Sequence, residues 1–165
     1  MKNNEIKTTY YPKTIKSNQE IDSQTGKIIK ETNFNEDGTL NNIIEFHPKK
    51  GNKIKKTVFL EDVEDEKIID YIEEYDSQQK VIKITYYNGE YLHFIEKFEP
   101  KTGNLIKTTF YNLDTDEIDY IKEYDRNENI TKETYYNKDG TIKFIYEYDQ
   151  DGNITKEISC TNDDK

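Results

Sequence analysis

Several residue types that usually carry structure or chemistry are scarce or missing in this sequence. Tryptophan and alanine do not occur, and cysteine occurs once, as Cys160, in 165 residues. A single cysteine excludes an intrachain disulfide framework and a cysteine-based zinc site. No apolar run reaches the roughly 18 residues of a membrane-spanning helix. Residues 1–4 lack the apolar core of a secretory signal, although a mature secreted protein would look the same.

Residues that could form a catalytic centre are equally few. The two histidines are His47, at the end of a predicted strand, and His93, inside one. Neither is paired by its spacing with Cys160, and no G-x-S-x-G elbow or glycine-rich phosphate loop is present. The sequence therefore predicts no enzymatic activity, no cofactor and no metal site.

The charge balance narrows the choice of partner. A net charge of -10 argues against a nucleic-acid partner, because phosphate binding needs a basic surface. One feature could still supply a basic surface: a lysine recurs every 23 to 28 residues along the chain. We expect these lysines to form ion-pair and cation–π rows with neighbouring Glu and aromatic residues, with phosphate binding as the lesser alternative. They are Lys7, Lys30, Lys55, Lys83, Lys107, Lys132 and Lys156.

What the sequence does contain is a repeat of about 25 residues. The best copy spans 105–125, and its first half reads apolar, then I/T-K-x-T-x-aromatic. That half recurs at a spacing of 23 to 28 residues, with its I/T position at Ile6, Ile29, Ile54, Ile82, Ile106, Thr131 and Thr155. The second half reads roughly aromatic-Ile-x-Glu-aromatic-acid. Self-similarity at a fixed period is the signature of a repeat architecture.

Both halves are predicted to be β-strands. They are rich in Ile, Thr, Tyr and Phe and are bounded by turn residues, with glycine where a turn needs positive φ at Gly38, Gly51, Gly103, Gly140 and Gly152. Such short loops connect antiparallel strands, whereas parallel strands need long crossovers. The predicted fold is all-β: about six tandem β-hairpin repeats forming one antiparallel meander sheet, which should coil because of its length.

The turns also suggest a register. A three-residue loop at 138–140 would set Tyr136 opposite Ile142, Thr134 opposite Phe144 and Ile130 opposite Tyr148. The next turn would set Tyr148 opposite Ile154 and Tyr146 opposite Lys156. One face would then combine the apolar column Ile28, Val81, Leu105, Ile130 and Ile154, the Thr column Thr9, Thr32, Thr57, Thr85, Thr109 and Thr134, and two aromatic columns. The other face would carry Ile43, Ile72, Ile95, Ile121 and Ile145 with Glu, Lys and Asp.

The aromatic columns are the candidate binding residues. They are Tyr71, Tyr75, Phe94, Phe98, Tyr120, Tyr124, Phe144 and Tyr148, with Phe46 as a further member. Tandem copies build a long surface with similar groups at each step, which suits binding rather than catalysis. For any single ring, packing against its neighbours as the core of the sheet is the favoured alternative.

The chain is predicted to be a single domain over 1–165. Residues 1–24 form a degenerate, polar first unit that suits an end cap, residues 25–158 hold the repeats, and residues 159–165 form a polar tail. The insertion at 61–66 contributes five carboxylates. It lacks the EF-hand pattern, so a solvated acidic loop is expected, with cation binding left open.

Two families share parts of this pattern. The stretch Tyr146-Glu147-Tyr148-Asp149-Gln150-Asp151-Gly152 resembles the YD repeat of RHS-type proteins. More closely, Pro100-Lys101-Thr102-Gly103-Asn104-Leu105-Ile106-Lys107 and Ile118-Asp119-Tyr120-Ile121-Lys122-Glu123-Tyr124-Asp125 resemble a tandem-repeat domain of unknown function that is abundant in phytoplasmas and related mollicutes. That resemblance implies a secreted or surface protein acting on a host, and it supplies no catalytic residues.

Together these observations predict a non-enzymatic protein-interaction module, an effector or surface protein of a host-associated bacterium. The partner would be a protein, and host proteins are among the candidates. The alternatives are a carbohydrate-binding protein that uses the aromatic columns, and a shell fragment like those of RHS-type proteins. The expected location is secreted or at the cell surface, with the cytoplasm as the other possibility.

Overall fold

Over the residues that can be described, the protein consists of β-strands. The structure, a computed structural model, describes residues 5–11, 14–60 and 67–160, with side chains from residue 16 onward. Within these ranges there are thirteen strands and no helix, so none that could cross a membrane. The strands are β1 Glu5–Tyr11, β2 Thr14–Ile21, β3 Ile28–Phe34, β4 Leu40–Phe46, β5 Lys53–Phe59, β6 Ile69–Tyr75, β7 Val81–Asn88, β8 Tyr91–Phe98, β9 Leu105–Tyr111, β10 Ile118–Tyr124, β11 Ile130–Tyr136, β12 Ile142–Tyr148 and β13 Ile154–Ser159.

The strands follow one another in the sheet in chain order, and each described pairing is antiparallel. This confirms the predicted all-β meander of tandem hairpins. The chain divides into two compact units, Met1–Val81 and Ile82–Lys165. We refer to them as the N-unit and the C-unit. Within each unit, a described strand contacts only the strands next to it in sequence.

The turns are built around one residue in the left-handed region. Ten described turn residues have positive φ, and they include all five glycines predicted from the sequence. Three of the ten are not glycine: Gln79, Asp116 and Glu128. In many turns an Asp side chain also accepts backbone N–H groups, as Asp125 Oδ1 does from Asn127 at 2.8 Å and from Asn129 at 3.0 Å. Such Asx turns fix the chain reversal with local hydrogen bonds.

Next to each turn, the register shifts by one residue. The pair beside the turn is as predicted: Tyr136 is opposite Ile142, and Tyr148 is opposite Ile154. Beyond it, a β-bulge places Thr134 opposite Ile145 rather than Phe144. The predicted pairing of Thr134 with Phe144 is therefore wrong. A bulge inserts one extra residue on one strand, and because side chains alternate in a strand, a shift of one residue exchanges their partners.

This shift changes which side chains share a face. The Thr column lies with the Ile stripe, as in the pairs Thr57–Ile72, Thr109–Ile121 and Thr134–Ile145, and not with the aromatic columns. The lysine and glutamate column lies on this same face, because Lys107, Glu123 and Lys132 are each two residues along their strand from Thr109, Ile121 and Thr134. Within the column, Lys107 is opposite Glu123 and Lys132 is opposite Glu147. In each unit we call this the ion-pair face. The opposite face, which carries the rings, is called the ring face.

The predicted ion pairs are present along the ion-pair face. Lys30 pairs with Glu20, Lys55 with Glu45 and Lys132 with Glu123, each at 3.5 Å, and Lys156 pairs with Glu147 at 3.4 Å. Close lysine–ring contacts are made by residues outside that column: Lys53, Lys56, Lys122 and Lys143. The side chains of Lys7 and Thr9, the acidic loop 61–66 and the tail 161–165 lie outside the described residues.

Burial is shallow on both faces. Among the described side chains, Ile121 is the one buried apolar residue, with 8% exposed, and the other buried ones are polar. Thr57, Thr85, Thr109 and Thr134 are buried on the ion-pair face, and Lys55, Lys83, Lys107 and Lys132 lie two residues before them on the same strands. The stability of each unit therefore comes from cross-strand pairs rather than from a second packed layer.

Candidate binding surface

A continuous row of aromatic rings crosses the C-unit on its ring face. One ring from each of six successive strands contributes, and the register puts each opposite the next. Ring centroids are 4.3 Å apart for Tyr86–Phe94, 5.5 Å for Phe94–Phe110, 4.3 Å for Phe110–Tyr120 and 5.3 Å for Tyr120–Tyr135. We call this row, completed by Phe144, the ring column. Its members are Tyr86, Phe94, Phe110, Tyr120, Tyr135 and Phe144.

A second row of rings lies four residues further along the even-numbered strands. It consists of Phe98, Tyr124 and Tyr148. Between the two rows runs a middle column of mixed character: Ile84, Glu96, Thr108, Lys122, Glu133 and Tyr146. Tyrosines of both rows reach over this column, and the side chains beneath them are the most buried of this face. Thr108 is 3% exposed and Glu133 is 9% exposed.

The contacts to Glu133 explain how a carboxylate is accommodated there. Its Oε2 accepts hydrogen bonds from the hydroxyls of Tyr135 at 3.0 Å and Tyr148 at 2.8 Å, and its Oε1 lies 3.3 Å from Lys122 Nζ. Burial alone would raise the pKa of Glu133, but the hydrogen bonds from Tyr148, Tyr135 and Lys122 outweigh it and hold the pKa below its ordinary value. A buried charge with all its partners present is stable in such a place.

The tyrosines that surround Glu133 are affected in the opposite direction. Burial and the hydrogen bond to Glu133 raise the pKa of Tyr135 to about 12 and that of Tyr148 to about 12. Both hydroxyls therefore remain protonated donors at any physiological pH. The same arrangement of a tyrosine over the middle column recurs at Thr108, whose Oγ1 lies 3.2 Å from the hydroxyl of Tyr124.

The N-unit has a different ring face. In the positions that correspond to the ring column it carries Asn33, Asn42, Val58 and Tyr71. Asn33 Nδ2 donates to Asn42 Oδ1 at 3.0 Å, so this stretch is held by amide hydrogen bonds instead of stacked rings. Near the end of the unit, Lys56 Nζ lies 3.9 Å from Glu73 and 5.9 Å from the Tyr71 ring, and Tyr75 donates a hydrogen bond to Glu73.

The predicted site residues divide between the two units. Tyr71 and Tyr75 lie on the ring face of the N-unit, and Phe94, Phe98, Tyr120, Tyr124, Phe144 and Tyr148 lie together on that of the C-unit. All eight are half-buried. Three members of the ring column were missed: Tyr86, Phe110 and Tyr135. The signal for them was the pair of consecutive rings in β7, β9 and β11, as in Phe110-Tyr111, since two adjacent apolar residues break the alternation and mark a bulge.

The geometry suits contact with a surface better than enclosure of a small molecule. A cleft of about 330 Å³ opens beside the end of the ring column, lined by Asp119, Tyr135, Tyr136, Lys143, Phe144 and Tyr146. Inside the ring column the stacked pairs cover one another, so they present ring edges rather than free ring faces to solvent. Edges of stacked rings with scattered charges between them resemble the mixed aromatic and polar surface of protein interfaces.

Metal-binding groupings do not appear in the described part of the chain. No cluster of three or more His, Cys, Asp or Glu side chains there could hold a metal ion. His47 Nδ1 accepts the backbone N–H groups of Lys49 and Lys50 at 3.2 and 3.3 Å, so it has the turn role that Asp has in other repeats. His93 is exposed and lies against Phe94, with ring centroids 5.0 Å apart.

Comparison with known proteins yields one family match. The sequence signature described as "Protein of unknown function (DUF2963)" matches four overlapping or adjacent segments, residues 12–58, 63–110, 88–130 and 111–159. The repeated match bears out the predicted tandem-repeat domain of unknown function, while the phytoplasma origin and the likeness to YD repeats stay predictions. Among curated proteins, none matches the sequence.

Solved structures with similar geometry are larger proteins. The crystal structure of TarM matches with a TM-score of 0.45 and 16% identity over 67% of this chain and 20% of that chain. The GtfA/B complex matches with a TM-score of 0.45 and 16% identity over 65% of this chain and 19% of that chain. This chain thus spans about a fifth of the length of either. Scores this low support no comparison of function.

Proposed function

The chain belongs to the DUF2963 family of proteins of unknown function, and on that premise we propose that it is a non-enzymatic protein-interaction module whose C-unit ring face contacts a partner protein. The supporting observation is where the repeats differ from one another. On the ion-pair face the repeats nearly agree: the central column is Thr in five of them, namely Thr32, Thr57, Thr85, Thr109 and Thr134, and the partner on the following strand is Ile each time.

On the ring face, the middle column between the two rows of rings differs in almost every repeat. Positions equivalent to Glu133 are occupied by Glu31, Lys56, Ile84 and Thr108, and those equivalent to Lys122 by Ile44, Glu73, Glu96 and Tyr146. Residues needed only for the sheet can be the same in every copy, whereas a surface that recognises a non-repetitive partner needs different groups at each step. The middle column has that property, and the ring column beside it supplies the large aromatic contacts that dominate interface energies.

A cross-linking experiment tests the proposal. A photo-reactive phenylalanine analogue placed at Tyr120 or Phe144 probes the ring column, and the same analogue at Lys132 probes the ion-pair face of the same unit. In lysates of a candidate host and of the source bacterium, we expect one protein to be cross-linked from positions 120 and 144 and not from 132. Cross-links from position 132 alone, or none from any position, would contradict the proposal.

A matched pair of substitutions supplies the control. Tyr120→Ser should reduce capture of that protein at least tenfold, because it removes a ring stacked on both sides. Asn42→Ser changes the equivalent position of the N-unit, where no ring exists, and should leave capture unchanged. Circular dichroism must show both variants folded, and equal capture by both would exclude the ring column as the contact.

Carbohydrate binding is the competing function. Sugar stacking uses the open face of a ring, and the faces of Phe110 and Tyr120 are turned to each other at an interplanar angle of 12°. This favours a protein partner over a glycan. A glycan-array signal that disappears in Tyr120→Ser would reverse the choice.

We also propose that the module is secreted or displayed at the surface of a host-associated bacterium, as the resemblance to mollicute repeat proteins suggests. A location in the cytoplasm and a role as a shell fragment of a longer RHS-like protein are the alternatives. Cell fractionation with an antibody to the module separates these cases: protein found only in the cytoplasmic fraction would refute secretion, and a much longer band would favour the shell fragment.

A further inference from the structure

The ion-pair face carries one row of charges whose alternation is broken at a single strand. In the N-unit the register runs Glu20, Lys30, Glu45, Lys55 and Glu74, so each charge is opposite one of the other sign. In the C-unit it runs Lys83, Lys97, Lys107, Glu123, Lys132, Glu147 and Lys156. Lys97 on β8 occupies the position that is Glu on the five other even-numbered strands.

Lys97 and Lys107 form no ion pair with a described residue, whereas other lysines of this row do. Four of them have a carboxylate oxygen at 3.4 to 3.5 Å. Lys97 is opposite Lys83 on one side and Lys107 on the other, and no ion pair joins it to any residue the structure describes. Its side chain is exposed. It is thus an accessible ammonium group flanked by two others on an acidic protein.

This arrangement reduces the stability of the sheet. Like charges directly opposite each other on neighbouring strands are destabilising, and a Glu at this position would instead face two lysines. A residue that lowers stability where the other repeats have a better one is typical of a functional position. Four other lysines of this column pair with carboxylates, so a carboxylate is the group that Lys97 lacks.

We propose that Lys97, together with Lys107, binds the carboxylates of an acidic α-helical segment of a partner protein. Neighbouring strands are about 4.8 Å apart, and acidic residues three or four positions apart on a helix rise by about 4.5 to 6 Å. A helix lying across β8 and β9 therefore presents one carboxylate to each strand. The site lies on the face opposite the ring column, so it does not depend on the proposed function of that column.

The test uses the full chain and a defined probe. The probe is a fluorescein-labelled helical peptide of alanine with Glu at every third or fourth position, and its Gln analogue is the control probe. Anisotropy at low ionic strength should detect binding of the Glu peptide, at least tenfold weaker binding of the Gln peptide, and loss of binding as salt is raised. Lys97→Glu should weaken binding of the Glu peptide at least tenfold.

A second reversal with the same change in net charge provides the matched control. Lys132 lies in the same row but between Glu123 and Glu147, so Lys132→Glu places three carboxylates together. We expect Lys97→Glu to raise the melting temperature and Lys132→Glu to lower it, with less than a twofold effect of Lys132→Glu on peptide binding. If both charge reversals weakened peptide binding equally, binding would depend on net charge alone and the proposed site would be wrong.

Two further results would also overturn it. A single-stranded oligonucleotide or inorganic polyphosphate that binds more tightly than the Glu peptide would assign the row to phosphate ligands. A melting temperature that falls in Lys97→Glu would remove the stability argument. Failure of the ring-column cross-linking leaves these measurements unaffected, so the two proposals fail separately.

Discussion

Glu133 shows at the scale of one residue how a thin sheet can hold a buried charge. It has lost nearly all contact with water, yet its two oxygens are bound by two tyrosine hydroxyls and one lysine. Glu123, on the other face of the same hairpin, makes a comparable ion pair to Lys132 at 3.5 Å, but both side chains are about 40% exposed. Two glutamates in similar sequence contexts should therefore contribute very different amounts to the free energy of unfolding.

We predict that Glu133→Gln destabilises the protein by about 2 kcal/mol, because three charge-assisted contacts are weakened in a buried place. Glu123→Gln should cost less than about 0.5 kcal/mol, as is usual for exposed pairs. Urea unfolding followed by circular dichroism measures both. Equal losses would mean that the tyrosines over Glu133 do not shield it from water.

The sequence predicts the position of each hairpin well, but it does not predict which side chains of a hairpin share a face. Turn residues correctly locate the chain reversals and the first pair beside each turn, such as Tyr136–Ile142. The faces could not be derived from them, because a bulge after the first pair moves every later partner by one residue. Hence the sequence wrongly predicts the Thr column on the face of the two aromatic columns, and it does not identify Tyr86, Phe110 and Tyr135 as members of the ring column.

The turns also make the stability of the hairpins depend on pH. Backbone N–H groups of Asn129 and Asn127 hold the pKa of Asp125 below its ordinary value of 3.8, and Asn153 has the same effect on Asp149. A lowered pKa in the folded state means that the charged form stabilises the fold. Its contribution is complete above about pH 4 and is lost as the pH falls through the folded-state pKa.

We therefore expect the melting temperature to fall as the pH is lowered from 4 to 2, and to fall less steeply in Asp125→Asn, which keeps the acceptor but does not titrate. Asp151→Asn should follow the unchanged protein, since the Asp151 carboxylate accepts no hydrogen bond from the described residues. Melting curves at half-unit steps of pH compare the three. Parallel profiles for all of them would show that the turn carboxylates do not govern acid stability.

At the scale of the whole molecule, contacts reach only from each strand to the next within either unit. In such an array stability is approximately a sum of terms for single repeats and for neighbouring pairs. The sequence could predict this from the repeat alone. It could not predict that Tyr86, Phe110 and Tyr135 complete the ring column, because the bulge decides which ring of each doublet lies on the ring face.

Removal of β12 and β13, by ending the chain after Asn137, should lower the stability of the remaining C-unit strands in a graded way. Amide exchange in β3–β5, which make no contact with the deleted strands, should stay within about twofold of the full chain. Mass spectrometry of exchanged peptides resolves the two regions. Complete loss of protection in β3–β5 would indicate a single cooperative fold instead of an array.

The alternating charges of the ion-pair face also constrain how such a gene can grow. Duplicating any hairpin but β7–β8 adds one Glu-bearing and one Lys-bearing strand, so the new neighbours again have opposite signs and the rings stay on the same face. Duplicating a single strand would reverse the chain direction of all that follows and set like charges against each other. Inheritable changes in length should therefore come in steps of about 25 residues, while smaller additions should be confined to turns.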